Sequence, residues 1–197
     1  MSLVDLTRFQ NQLKGTSSKT RPLPPVEQWN PAFCGNINLT IALDGRWFYE
    51  GSPIGRASLV ALFASVLKRE DENYYLVTPV EKVGITVEDT PFLITQWRQE
   101  TDSDTGKTCI VFTTQTNDDI RLEELSQLEL RTPPAAIQDS DATPIPYVCV
   151  RRNLWARIHQ NVYYQLLEQA IQETDAHQIR FILSSNSEKF VIGQVEQ

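Results

Sequence analysis

This chain is poor in the residues that usually announce chemistry. It has two histidines, one methionine and three cysteines among 197 residues. No Cys–x–x–Cys or His–x–x–x–His spacing occurs, so His159 and His177 read as surface or capping residues, and no metal or cofactor is expected. A Gly–x–Ser–x–Gly elbow is missing, and no cysteine stands beside a histidine in a nucleophile signature. Cys34, Cys109 and Cys149 are odd in number and far apart, which fits free thiols in a reducing compartment better than a disulfide framework. Cys109 and Cys149 sit among apolar strand residues, whereas Cys34, beside Gly35 in a loop, is the accessible thiol. Long apolar runs are lacking too. The best, ASLVALFASVL at 57–67, is too short for a bilayer, and the first residues carry Asp5 and Arg8 where a secretory leader needs an unbroken apolar core. Basic residues are outnumbered 18 to 25, giving a net charge of -7 and a pI near 4.9. That balance argues against nucleic acid or an anionic membrane as partner. The expectation is a cytoplasmic protein.

What is present is regular structure, densest from Ile37 to Asp89. Leu3, Leu6, Phe9 and Leu13 first mark a helix over residues 2–13. After a polar, Pro-rich connector, Ile37, Leu39, Ile41 and Leu43 alternate with polar or small residues, and Asp44-Gly45 signals a two-residue type I′ turn. Pairing across that turn sets Leu43 opposite Arg46 and Ile41 opposite Phe48, which puts Trp47 and Tyr49 on the face away from the Ile/Leu row. Ser52 and Pro53 suit an N-cap and first turn, leading into a helix with Leu59, Leu62, Phe63, Val66 and Leu67 at helical spacing. Its remaining faces are apolar too, so it is expected to be buried between a sheet and a further element. YYLVT and Ile85–Glu88 follow as strands.

In the second half, FLITQWRQE and KTCIVFTT form a hairpin around TDSDTG, and LSQLELR is a further strand. Residues 132–146 are Pro-rich and acidic, a long loop. PYVCVRR is a strand, after which Asn153 is expected to cap a second helix with Leu154, Ile158, Val162, Leu166 and Ala170 four apart. IRFILSS and KFVIG close the chain as a hairpin. The two helices align at one constant offset, each followed by two strands, which suggests a repeated β–α–ββ unit. The resulting fold class is α+β, with mostly antiparallel strands in two lobes, 1–90 and 91–197.

WNPAFCG, LDGRWFYEGSPIGR, LVTPVEKVGI and VEDTPF resemble the bacterial domain-of-unknown-function family numbered 1285, and VCVRRNLWARI and LSSNSEKFVIG do so more loosely. The resemblance runs from about Pro24 to Gly193. It implies a two-lobed α+β fold with a repeated motif and a part in signal transduction or ligand sensing. It implies no known reaction.

The leading expectation is a binding or regulatory module. It would take a small-molecule ligand or a protein partner near the seam between lobes through Trp47, Tyr49, Arg56, Glu81 and Lys82, where aromatic anchors meet opposite charges. The structural alternatives are that Trp47 packs against the other lobe and that Arg56 pairs with Glu81. A second class is an enzyme of unrecognised type drawing acid/base groups from Asp44, Glu81 and Glu88. A third is a structural subunit anchored by Trp155 or Trp97.

Overall fold

The structure, a computed structural model, describes residues 3–13, 23–137 and 143–196. Part of the 132–146 loop, residues 138–142, lies outside the described residues. Two compact units emerge, Met1–Pro91 and Phe92–Gln197. Strands make up half of the chain and helices 19%, so the α+β expectation holds with the balance well toward β. Each unit has a six-stranded mixed sheet, and a small three-stranded sheet joins the second. The charge divides unevenly. The first unit has nine Lys/Arg against ten Asp/Glu, the second nine against fifteen.

In the first unit, α1 (Leu3–Gln12) precedes β1 (Phe33–Ile41), β2 (Trp47–Tyr49), β3 (Ser52–Pro53), α2 (Ala57–Ser65), β4 (Leu67–Glu70), β5 (Asn73–Val77) and β6 (Lys82–Val87). The sheet order is β3-β2-β1-β6-β5-β4, antiparallel throughout except for parallel β1 and β6.

The β1–β2 register differs from the one expected. Ile41 faces Trp47, Thr40 faces Phe48 and Leu39 faces Tyr49. Ala42 N–H donates to Arg46 C=O at 2.9 Å, and Gly45 takes φ +80, so the loop holds three residues, Leu43 to Gly45, rather than two. Asp-Gly serves this bulged turn as readily as type I′. A slip of one residue reverses every face. Trp47 and Tyr49 therefore join the buried row of Leu39 and Ile41, and Trp47 stacks on Phe63 of α2, centroids 6.4 Å apart.

Two more expectations give way nearby. Glu50 (φ +48) and Gly51 (φ +77) fold Ser52–Pro53 back onto β2 as an edge strand, so Ser52 does not cap the helix, which begins only after Arg56. The helix also ends at Ser65, and Leu67 opens a strand paired with Leu76. α2 is covered as anticipated, for Phe9 of α1 meets Phe63 edge-on at 6.1 Å.

The second unit contains β7 (Phe92–Thr101), β8 (Thr108–Thr114), β9 (Asp119–Leu122), β10 (Leu128–Arg131), β11 (Ile145–Arg151), β12 (Leu154–Ile158), α3 (Gln160–Gln169), β13 (Ile171–Thr174), β14 (Gln178–Ser185) and β15 (Glu188–Glu196). The large sheet runs β10-β11-β12-β7-β8-β9, with β12 and β7 parallel, and the small one β13-β14-β15. The β7–β8 and β14–β15 hairpins form as read from sequence. Asn153 does not cap a helix. Leu154, Ala156 and Ile158 alternate into the core as a strand, and His159 caps α3, its Nδ1 accepting from Asn161 N–H at 3.2 Å. A spacing of four is a multiple of two, so Leu154 and Ile158 fit a strand as well as a helix. α3 lies against β7, where Trp97 Nε1 donates to Gln165 Oε1 at 2.9 Å.

A helix followed by an antiparallel three-stranded meander thus occurs twice, as α2-β4-β5-β6 and α3-β13-β14-β15. Leu67 and Ile171, equivalent in the sequence alignment of the two helices, open the equivalent strands β4 and β13.

Gly84, in the middle of β6, marks a close approach. A Cβ there would overlap the Asn36 side chain, which lies over it from β1. Gly84→Ala should therefore lower stability by about 1–3 kcal/mol. Adding Asn36→Ala should restore most of that loss, as urea unfolding of the two variants would measure.

Candidate functional site

The five residues singled out from sequence do not meet. Trp47 (2% exposed) and Tyr49 (6%) belong to the core face of the first sheet. Trp47 Nε1 is buried with no hydrogen-bond partner among the described residues. Arg56 is exposed at the start of α2, where no side chain caps the helix and, among the described residues, none pairs with Arg56. The Arg56–Glu81 ion pair considered above is therefore not formed. Glu81 is buried, and its main chain closes a turn with Thr78, whose N–H donates to Glu81 C=O at 2.9 Å. Lys82 starts β6 beside Phe33, whereas Trp47 adjoins the far ends of β1 and β6 through Ile41 and Val87. The five residue steps from Lys82 to Val87 span about 16 Å.

The acid/base candidates separate in the same way. Asp44 is taken up by Arg46 at 2.6 Å, and Glu88 Oε2 accepts Leu43 N–H at 2.9 Å, both at the hairpin end, with Glu81 at the other. Among the described residues no group of His, Cys, Asp and Glu could hold a metal ion. Cys34 is exposed, Cys109 buried and Cys149 half-buried, its thiol pushed above the ordinary range by that burial.

The pairing of aromatic anchors with charge does exist, on the opposite face. Lys68, Tyr75, Gly84 and Asn36 stand rung to rung across β4, β5, β6 and β1, and directly paired residues share a face. Phe33 is 54% exposed and meets Tyr75 edge-on at 6.0 Å. The Lys82 ammonium lies 4.8 Å above the Tyr75 ring and reaches on to Glu70 at 2.8 Å. Lys68 contacts the same carboxylate at 3.3 Å. Val80, 65% exposed, projects from the turn before Lys82. Two cations thus share one carboxylate beside an aromatic pair whose outer ring is open to solvent. Of these residues only Lys82 was found from sequence. Phe33 and Tyr75 sit in strands whose facing follows from register, and one signal for Tyr75 was its alternation with buried Leu76.

In the second unit many of the described charged groups pair with one another. Arg98 and Arg121 link Glu100, Asp119 and Glu123 along the surface of β7, β8 and β9. Arg131 lies 4.0 Å over the Trp155 ring while holding Glu129. Arg151 sits 4.8 Å over Phe92 with Asp118 at 2.8 Å. The exposed Arg98–Arg121 network contributes little per pair, whereas the Arg151–Asp118 pair is largely covered.

Residues 24–90 match the N-terminal domain of a domain of unknown function, DUF1285, and residues 91–192 match its C-terminal domain. The chain belongs to the DUF1285 family. A DUF1285 family protein from Silicibacter pomeroyi DSS-3, solved by crystallography at 2.50 Å, is 38% identical, with 92% of each chain covered and a TM-score of 0.75. A second, from Shewanella baltica OS155 at 1.40 Å, is 27% identical over 66% of this chain and 91% of its own, with a TM-score of 0.51. No curated protein matches the chain. No helix among the described residues is long and apolar enough to cross a membrane.

The Lys82 contact has a measurable consequence. Its hydrogen bond holds the Glu70 carboxyl below the usual glutamate range, with Lys68 adding to the effect. A depressed folded pKa contributes stability above the unfolded value, lost as pH falls through the folded one. Lys82→Ala should raise the Glu70 pKa toward its ordinary value, about 4.3. It should also flatten the fall in stability below that pH, as carboxyl-resolved NMR titration and melting at several pH values would record.

Proposed function

We propose that this DUF1285 member is a binding module whose first unit presents the outer face of its sheet to a protein partner. One observation carries the reading. Phe33 is exposed, yet Tyr75 holds it edge-on and Lys82 lies over Tyr75, so an aromatic anchor and a cation are fixed side by side. Interface energy concentrates in such aromatic and cationic anchors, and a pre-held ring loses little freedom on docking. The Val80 side chain adds apolar area at the same end. An acidic or carbonyl group of the partner would share Lys68 and Lys82 with Glu70. A regulatory role would act through that contact. The buried positions of Trp47 and Tyr49 support a structural part for them in the same unit.

The test is quantitative capture of partners from a bacterial extract by immobilised wild type, Phe33→Ala, Lys82→Glu and Arg56→Ala. The first two variants should lose at least tenfold of one partner. Phe33→Ala, at a side chain more than half exposed, should melt within a degree or two of wild type, whereas Lys82→Glu, at a largely covered side chain that holds Glu70, should stay folded but melt lower. Arg56→Ala should retain it. Loss on Arg56→Ala with full capture by Phe33→Ala would place the site at the start of α2 and sink the proposal. Native mass spectrometry of the same preparations reports whether a small ligand occupies the protein instead.

A further inference from the structure

The tip of the β14–β15 hairpin is inserted into the end of the β8–β9 ladder. Antiparallel ladders alternate between bonded and non-bonded rungs. Thr114 N–H donates to Asp118 C=O at 2.9 Å, so Phe112/Ile120 and Ile110/Leu122, two and four residues on, are rungs of the bonded kind. At the last of them Ile110 N–H donates to the Ser185 hydroxyl at 2.8 Å, and that hydroxyl donates to Leu122 C=O at 2.5 Å. One side-chain oxygen, 1% exposed, is threaded into the rung. Asn186 completes the attachment, its N–H donating to Thr108 C=O at 2.8 Å and its Nδ2 to Glu123 C=O at 3.4 Å. Directly beneath lies Cys109, 2% exposed, with its Sγ 3.6 Å from the Ser185 oxygen and 3.4 Å from Leu122 C=O.

The hold on this tip is polar. Buried apolar residues begin only at Leu183 on one strand and Phe190 on the other, while Ser184, Ser187, Glu188 and Lys189 are exposed. The two-residue turn also keeps Asn186 (φ +49) and Ser187 (φ +69) in the left-handed region, which disfavours residues with a Cβ. Segments with few buried apolar contacts open below the free energy of global unfolding.

We infer that the Ser185–Glu188 tip is a latch that opens locally while the rest of the second unit stays folded, and that its opening uncovers the Cys109 thiol. Ser185 is the catch. Removing its hydroxyl leaves Ile110 N–H and Leu122 C=O without their shared partner, and Ser187→Gly relaxes the turn.

The experiment is thiol labelling of the full chain, read at Cys109 by peptide mass spectrometry over a range of low urea concentrations. Wild-type Cys109 should label at a rate nearly independent of urea, the signature of an opening that exposes little surface. Ser185→Ala should label at least tenfold faster, and Ser187→Gly more slowly than wild type. Ser187→Gly and the wild-type urea dependence decide the matter even if Ser185→Ala fails to fold. Labelling that rises with urea as steeply as global unfolding, or a Ser187→Gly rate equal to wild type, would overturn the latch and leave Ser185 a fixed structural residue.

Discussion

Each unit depends on one parallel pairing between strands far apart in sequence. In the first, β1 and β6 are joined only after a hairpin, an edge strand, a helix and two further strands have been laid down between them. Every other pairing in that sheet links strands adjacent in the chain. Without the β1–β6 rungs the sheet would fall into two three-stranded pieces. The β7–β12 rungs do the same for the second large sheet. Parallel pairing forces a long crossover, and in both units the residues of the proposed binding face and latch lie on or next to the strands so joined.

The sequence was most legible where local chemistry has one solution. TDSDTG between two β-rich runs is a hairpin turn, and Asp102 fastens it by accepting Asp104 and Thr105 N–H at 2.9 and 2.7 Å. The apolar stripe of α2 required a covering layer, which Phe9 supplies. The repeat was visible because Leu67 and Ile171 sit at equivalent distances from their helices, although the first belongs to the strand after its helix rather than to the helix itself.

Legibility failed where one spacing serves two structures. Asp44-Gly45 fits a two- or a three-residue loop, and only the packing of Trp47 on Phe63 selects the second. Leu154 and Ile158 suit a helix or a strand, and the parallel partner β7 decides for the strand. The candidate site inherits the first ambiguity. Moving Trp47 and Tyr49 inward left the open face to Phe48, Phe33 and Tyr75, and the last two were not legible as a pair because they come from strands separated by β6. Ser185 was silent for a related reason. A serine at a strand end is ordinary until the rung it enters is known.

The uneven division of charge reaches beyond any one contact. The first unit has one acidic residue in excess and the second six, so the molecule's low isoelectric point belongs almost wholly to the second. Like charges on a small folded body repel, and that repulsion eases in the denatured chain and in salt, over a screening length of about 8 Å at physiological ionic strength. Dissolved salt thus acts chiefly on one half of the chain, easing its net repulsion while screening the ion pairs on its surface. The half that carries Phe33 is close to neutral and has little net repulsion to ease.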